Sequence, residues 1–361
     1  MKISAADGMN YAPQGKPAPV CQPGEFPFAA VHLDHGHIYG QCNGLIEAGG
    51  DLRWVYDPDP DRVAAFCKRY PQVRPAESLE AILEDPAIPL VAAAAIPNQR
   101  GPLGCRVMEA GKDYFTDKTP FTTLEQLAEA RAVAGRTGRK YMVYYSERLH
   151  VECAVFASQL IADGAIGRVV QTIGTGPHRL GVGSRPDWFF QHEKYGGILC
   201  DIGSHQSEQF LHFTGAKEAK VNFSAVANFN NPSHPELEDF GEASLTADNG
   251  ASGYYRVDWF TPTGLRSWGD GRTFITGTKG TIELRKYLEV AAENPAGDQL
   301  YLVDEKGEHR ISCAGKVGFP FFGQLILDVL NRTEKAMTQD HAFRAAELCL
   351  QAQAAAVRIA G

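Results

Sequence analysis

The chain lacks any stretch of about 18 or more apolar residues, the length a bilayer-crossing helix requires. Met1–Val20 also holds no apolar run of signal-peptide length, so the expectation is a cytoplasmic protein with no membrane partner. An excess of basic charge is missing too: 35 Lys and Arg stand against 43 Asp and Glu, for a net charge of −8. Phosphate backbones demand a basic surface, which excludes nucleic acid as the main partner. The same balance permits a bound dinucleotide, because a few local backbone donors can hold it. The eight cysteines, at 21, 42, 67, 105, 153, 200, 313 and 349, form no C-x-x-C pair. Scattered thiols in a chain of this size imply a reducing compartment rather than a disulfide framework.

What the chain does contain is a rhythm. From Phe28, short apolar runs alternate with helix-like stretches. Strands are expected over 28–33, 52–56, 89–96, 113–116 and 140–145, with helices ending near 48, over 60–70, from Ser78 to Leu83, over 102–110 and over 123–135. Strands and helices alternating at this spacing define βαβ units, hence an α/β fold with a Rossmann-type, doubly wound parallel sheet. Beyond about residue 150 the texture changes. A helix over 150–163 and a strand over 169–173 precede further strands near 220–229, 240–247, 251–260, 272–276, 281–284 and 299–303. Several of these alternate and are separated by Gly turns, which predicts a C-terminal α+β domain with a large, mostly antiparallel sheet. Helices over 321–331 and 340–358 close the chain. The expected organisation is an extended Pro-rich arm over 1–27, a dinucleotide-binding domain over 28–148, and a substrate-binding and oligomerisation domain over 149–361.

In a doubly wound sheet, ligands bind beyond the carboxyl ends of the strands. That rule selects Asp34–Tyr39, Asp57, Pro97, Asn98, Lys118, Glu147 and Arg148. A dinucleotide-binding first loop carries G-x-G-x-x-G, whose amides approach a pyrophosphate at a helix N-terminus. Here the loop is degenerate: Leu33-Asp34-His35-Gly36-His37-Ile38-Tyr39-Gly40. With Gly36 as the middle glycine, Asp34 and Tyr39 take the outer positions, and Asp34 would repel the pyrophosphate. Asp57, 23 residues after Asp34, stands where a carboxylate accepts from an adenosine ribose, which favours NAD over NADP. It could equally form an Asx turn before Pro58. His32, Asp34, His35 and His37 have the residue types of a zinc site. Strand alternation turns neighbouring side chains to opposite faces, however, and no metal is expected.

A second polar stretch is Tyr195-Gly-Gly-Ile-Leu-Cys-Asp-Ile-Gly-Ser-His205. If the segment after Gly197 is helical, Asp201 and His205 share one face. Such a pair can hold a substrate hydroxyl and move its proton; it can equally tie a core together. Read with Asp117-Lys118-Thr119-Pro120, this stretch makes the chain resemble the Gfo/Idh/MocA oxidoreductases. That family's Glu-Lys-Pro follows a helix ending in Ala-Gly-Lys, here Glu109-Ala-Gly-Lys112, with the acid shortened and Thr119 inserted. The Gly-Gly pair followed by Asp-x-Gly-x-His is matched closely, while Gly101 stands where many members carry a His. The resemblance spans about residues 28 to 358. It implies NAD(P)-dependent hydride transfer at a secondary hydroxyl of a sugar, cyclitol or related polyol. The cofactor would be held by Asp34, His35, Gly36, His37, Ile38, Asp57, Pro97, Asn98 and Lys118. The catalytic group would be Lys118, Asp201 and His205, with the imidazole as base because imidazoles titrate near neutrality.

Glu147, Arg148, His178, Arg179, Arg185 and Trp188 are further substrate-binding candidates, offering charged groups for hydroxyls and an aromatic face for C–H surface. A homo-oligomer, dimer or tetramer, is expected through the second-domain sheet. Alternatives within reach of the same motifs are a lyase, hydrolase or epimerase that uses bound NAD transiently through a keto intermediate, and a redox-inactive sensor whose dinucleotide site is lost.

Overall fold

The computed structural model describes residues 19–293 and 297–360, so most of the expected N-terminal arm lies outside the described residues. The chain divides into two compact units. The first holds the described residues up to Tyr144, together with Phe319–Phe343. Its strands are β1 (Pro27–Val31), β2 (Asp51–Tyr56), β3 (Arg74–Pro75), β4 (Leu90–Ala93), β5 (Asp113–Asp117) and β6 (Tyr141–Tyr144). They form one parallel sheet in the order β3-β2-β1-β4-β5-β6. Every residue of β1, β4, β5 and β6 is buried, as befits a sheet covered on both faces, and β1, β4 and β6 accordingly read as short runs without a charge. The order reverses between β1 and β4, and a doubly wound sheet opens its ligand crevice there.

Five helices connect these strands: α1 (His37–Glu47), α2 (Pro60–Arg69), α3 (Leu79–Glu84), α4 (Pro97–Glu109) and α5 (Leu124–Thr137). The side chains of Asp59, Ser78 and Thr123 accept the first-turn amides of α2, α3 and α5, the capping their residue types favour. Helix α4 starts five residues earlier than the expected 102–110. Pro97 opens it at the first position, where a missing N–H costs nothing. The N–H that Pro102 lacks would have bonded to the Asn98 carbonyl, and that carbonyl accepts from Gln126 Nε2 instead, at 3.0 Å.

The second unit comprises Tyr145–Gly318 and the chain from Arg344 onward. Its elements begin with α6 (Ser146–Leu149), α7 (Glu152–Ala162), β7 (Val169–Pro177), α8 (His192–Tyr195), α9 (Ile198–Asp201) and α10 (Gly203–Thr214). Strands β8 (Ala219–Ala227), β9 (Phe240–Ala247), β10 (Ser252–Asp258), β11 (Arg272–Gly277), β12 (Thr281–Arg285), β13 (Gln299–Asp304) and β14 (Gly307–Ser312) follow. After α11 (Pro320–Asn331) and α12 (Gln339–Ala354), β15 (Val357–Arg358) completes a nine-stranded sheet in the order β14-β13-β12-β11-β7-β10-β9-β8-β15. Its pairs are antiparallel except β7 with β10 and β8 with β15. The strand expected over 169–173 runs on to Pro177, because Gly174 and Gly176 let α10 lie directly on it. A Cβ at Gly174 would come within 2.2 Å of Gln206 Oε1.

A second core lies between α7 and the β11–β13 strands, built from Ala154, Phe213, Ile275, Ile282, Leu284 and Leu300. The register also aligns one row across the sheet: Glu283, Phe274, Ile173, Tyr254, Ser244 and Phe223 are successive cross-strand partners. Cross-strand partners share a face, and Phe274, Tyr254 and Phe223 are exposed on it.

Candidate active site

The residues singled out above fall in both units. In the first unit the β1–α1 loop is pinned by its neighbours: His32 N–H donates to Tyr56 O, Ala94 N–H to His32 O, and His35 N–H to Ala94 O, at 3.0–3.1 Å. Leu33 N–H donates to Asp57 Oδ2 at 2.6 Å, and Asp59 N–H to Asp57 Oδ1 at 2.8 Å. Asp57 therefore ties the end of β2 to the loop, and each oxygen keeps one further lone pair for a ribose hydroxyl. Asp34 does not stand as a bare charge: Arg62 Nη1 lies 2.5 Å from it. Helix α1 begins at His37 with Gly36 as its cap residue, so no cap side chain bonds its first amides. Tyr39 turns away and stacks on Phe66 at 5.6 Å. Gly44 admits the close packing, since a Cβ there would meet Phe322 at 2.3 Å.

At the end of β5, Asp117 is fully buried and accepts four donors. His37 Nδ1 and Lys118 N lie 2.8 Å from Oδ1; His35 Nδ1 and Arg100 Nη2 lie 3.1 Å from Oδ2. Burial would raise the Asp117 pKa, but His37 and Arg100, with the hydrogen bonds from both imidazoles, hold it well below the carboxylate range. An ionised carboxylate only accepts, so His35 Nδ1 must carry its proton toward Asp117. The 3.3 Å approach of His37 N–H to that same Nδ1 is then a contact rather than a hydrogen bond. Burial, then His37, pushes His35 down to about 3, so it is neutral. Ligand-type atoms of His35, His37 and Asp117 lie within 4.8 Å of one another. The Arg100 guanidinium on the same carboxylate supplies the counter-charge that a cation would.

Arg100 is buried at the start of α4. Its Nε donates to Ala95 O at 2.6 Å, and Nη1 reaches Lys118 O and Thr119 O. One planar fork thus holds the Asp117 carboxylate before Lys118 and the Lys118 and Thr119 carbonyls after its Cα; the Lys118–Thr119 bond is cis. Lys118 is itself buried. Pro97 is buried and Asn98 half-buried, with Asn98 Oδ1 lacking a hydrogen-bond partner. The uncapped α1 N-terminus, the remaining acceptor capacity of Asp57 and the neutralised Asp34 fit a dinucleotide.

In the second unit, the helix expected after Gly197 is two pieces: α9 ends at Asp201 and α10 starts at Gly203. Ile202 between them keeps helical angles, φ −76° and ψ −39°. Asp201 is half-buried and His205 buried, and the His205 ring meets Tyr145 edge-on at 6.5 Å. Glu147, on α6, accepts from Lys286 Nζ at 2.9 Å and Gln206 Nε2 at 3.0 Å, both on Oε2. Its other oxygen lies 3.9 Å from His178 Nε2. Burial would raise the Glu147 pKa, but Lys286, His205 and His178 bring it down to about 2.

The three arginines each bond within the protein. Arg148 Nε reaches both oxygens of buried Glu208, at 2.7 and 2.9 Å. Arg179 Nη2 donates to the carbonyls of Pro262, Leu265 and Ser267, at 3.1, 2.6 and 2.8 Å. Arg185 Nε bonds Leu180 O at 2.8 Å, and its guanidinium lies over Phe189 and Trp259 at 4.5 and 5.0 Å. Trp188 packs beside Phe189, with ring centres 5.9 Å apart. Sequence reasoning missed Arg62, Arg100, Lys286, Trp259 and Trp268. Local pattern does not mark them: Lys286, Trp259 and Trp268 meet partners far along the chain, and nothing in the sequence around Arg62 or Arg100 shows which carboxylate each faces.

A parallel sheet in 3-2-1-4-5-6 order, with an acidic residue after β2 and a lysine after β5, defines a dinucleotide-binding oxidoreductase of Rossmann type. Residues 30–145 match the family model for the oxidoreductase family with an NAD-binding Rossmann fold, and residues 155–283 match the GFO/IDH/MocA C-terminal domain. The chain belongs to the Gfo/Idh/MocA family. It is 26% identical over 236 residues to scyllo-inositol 2-dehydrogenase (NAD(+)) of Bacillus subtilis, covering 65% of this chain and 66% of that protein. It is 24% identical over 194 residues to D-xylose dehydrogenase of Paenarthrobacter nicotinovorans, covering 52% and 47%. The chain thus spans about half to two thirds of the curated relatives it matches. A crystallised protein from Erwinia carotovora atroseptica, titled only a candidate oxidoreductase, is 51% identical, with a TM-score of 0.90 over 93% of this chain and 100% of that one.

Proposed function

We propose that the protein is an NAD-dependent dehydrogenase moving a hydride between nicotinamide and a secondary hydroxyl carbon of a sugar, cyclitol or related polyol. The observation that carries this reading is the Arg100 fork, which fixes the chain on both sides of Lys118 at the carboxyl edge of a Rossmann sheet. When bound, the dinucleotide supplies the hydride acceptor. Lys118 holds the substrate oxygen and stabilises its developing charge. His205 takes the hydroxyl proton, and Asp201 orients the imidazole or a neighbouring hydroxyl. NAD is favoured over NADP because Asp34, Asp57 and Asp59 surround Arg62 at 2.5, 3.6 and 3.5 Å. Three carboxylates against one guanidinium repel a 2′-phosphate.

The test is an absorbance trace for NADH with D-xylose, scyllo-inositol and other neutral polyols as substrates. NADH formed in step with substrate consumption supports the reading. Product without NADH would replace it with transient redox chemistry, and no dinucleotide binding at millimolar concentration would remove both.

The reading extends to assembly. A second copy of this chain is the proposed cover for the Phe274–Ile173–Tyr254–Phe223 row, giving a homo-oligomer. The proposed setting is the cytoplasm: all eight cysteines are free thiols. Among the described residues, no helix is long and apolar enough to cross a membrane.

A further inference from the structure

Glu147 is an ionised carboxylate buried in the second unit, and only one of its oxygens is satisfied. Oε2 takes both Lys286 and Gln206, while Oε1 is buried with no hydrogen-bond partner. A buried carboxylate oxygen without a donor is costly, so a native chain keeps one for a reason. Lys286, wholly buried just after β12, is the counter-charge that keeps this group an acceptor.

Two donors without acceptors, the indole Nε1 atoms of Trp259 and Trp268, stand beside His178. His178 Nδ1 lies 3.1 Å from Gly176 O, and a carbonyl only accepts, so Nδ1 carries a proton and Nε2 faces Glu147 Oε1. The imidazole is flanked by Trp268 and Trp259, with ring centres at 4.3 and 5.5 Å. Both indole Nε1 atoms are buried and have no hydrogen-bond partner. An orphan acceptor beside orphan donors, walled by aromatic rings, is the arrangement a hydroxyl completes. The O–H donates to the carboxylate, its oxygen accepts from an N–H, and the C–H surface behind it rests on the rings.

We propose that Glu147 Oε1 and the indole N–H groups of Trp259 and Trp268 form a subsite for one hydroxyl of a neutral carbohydrate or polyol, with the His178 ring as part of its wall and Lys286 positioning and charging Glu147. The proposal rests on the polyol reading above and sharpens it. A carboxylate at this place in the ligand would meet an ionised Glu147 and be rejected, so sugar acids with the charge there are excluded.

Three of the four tryptophans, Trp188, Trp259 and Trp268, lie in this aromatic cluster. The remaining one, Trp54, bonds Asp85 in the other unit. Intrinsic fluorescence of Trp54→Phe protein, with NAD+ present and absent, therefore reads the subsite directly. Titration with D-xylose, D-glucose and scyllo-inositol should change the emission. Glu147→Gln should raise the dissociation constant roughly tenfold or more with an unaltered far-UV spectrum. Lys286→Met should do likewise and make binding fall as pH is lowered, and Lys286→Arg should restore much of it. No emission change with any of the three probes, or a Glu147→Gln protein that binds as well as its parent, would overturn the subsite. NADH absorbance is followed separately, so a protein that binds polyol without reducing NAD+ keeps the subsite and loses only the dehydrogenase reading.

Discussion

Arg62 and Asp34 meet guanidinium to carboxylate at 2.5 Å beside the β1–α1 loop, and the same Nη1 lies 3.6 Å from Asp57. The aspartate that should repel a pyrophosphate is thus neutralised by a cation from α2, the next helix along. Asp34→Gly leaves that guanidinium with Asp57 and Asp59 alone, and a loosened arginine is a phosphate ligand. The variant should bind NADP+ better relative to NAD+ by roughly fivefold, read from dissociation constants of NADPH and NADH by fluorescence. Arg62→Ala, which bares Asp34 and Asp57, should weaken both. An unchanged ratio in the first variant would show that Arg62 does not face the 2′ position.

Lys118 is the residue on which the chemistry is staked. Lys118→Ala should lower turnover by about a hundredfold or more while the melting curve stays close to the parent. Arg100→Lys should lose stability as well, by about 2–4 kcal/mol. It keeps the charge but cannot span Ala95 O, Lys118 O, Thr119 O and Asp117 together. Denaturant titration beside steady-state rates separates the two roles. Full activity in Lys118→Ala would refute its catalytic place.

Two buried histidines make stability depend on pH. Burial brings His150 down to about 3, and burial with His37 does the same to His35, against about 6.5 in the unfolded chain. Both therefore bind more protons unfolded than folded. Their contribution is complete above about pH 6.5 and is lost as pH falls toward 3, at up to about 1.4 kcal/mol per pH unit for each. His150→Gln should flatten this acid slope in urea titrations between pH 4 and 7 without altering NADH binding. A slope as steep as the parent's would place the titration elsewhere.

Much of the frame was readable because its causes are local. Buried parallel strands such as Leu90–Ala93 show as apolar runs, and Ser78 or Thr123 before a helix shows as a cap. The candidate site is less legible, because side-chain meaning depends on partners far along the chain. Arg148 and Arg179 read as sugar ligands, and the sequence does not show that each also bonds within the protein, to Glu208 and to three loop carbonyls. Glu147 drew attention by its place after β6, but Lys286, which fixes its charge, is 139 residues away. Arg100 lies just past Pro97-Asn98, and nothing local distinguishes a buried guanidinium from an exposed one.

Gly197 gives the last test, because it presents the segment carrying Asp201 and His205. Its φ of +89° lies in the left-handed region, and an added Cβ would sit 2.2 Å from Gln353 Cδ. Gln353 cannot simply swing aside. Its Oε1 accepts from Leu199 N–H at 3.0 Å, its Nε2 donates to Glu238 Oε2 at 3.0 Å, and Glu238 Oε2 in turn accepts from Ile198 N–H at 2.9 Å. Gly197→Ala therefore combines backbone strain with loss of the bonds holding the first turn of α9, and should cost about 2–4 kcal/mol. Gln353→Ala removes only the bonds, at about 1 kcal/mol. In the double variant the clash is gone and the strain remains, so the two costs should sum to more than the double variant loses. Urea unfolding of the four proteins measures the cycle. Strict additivity would mean that Gln353 does not hold the turn that presents Asp201 and His205.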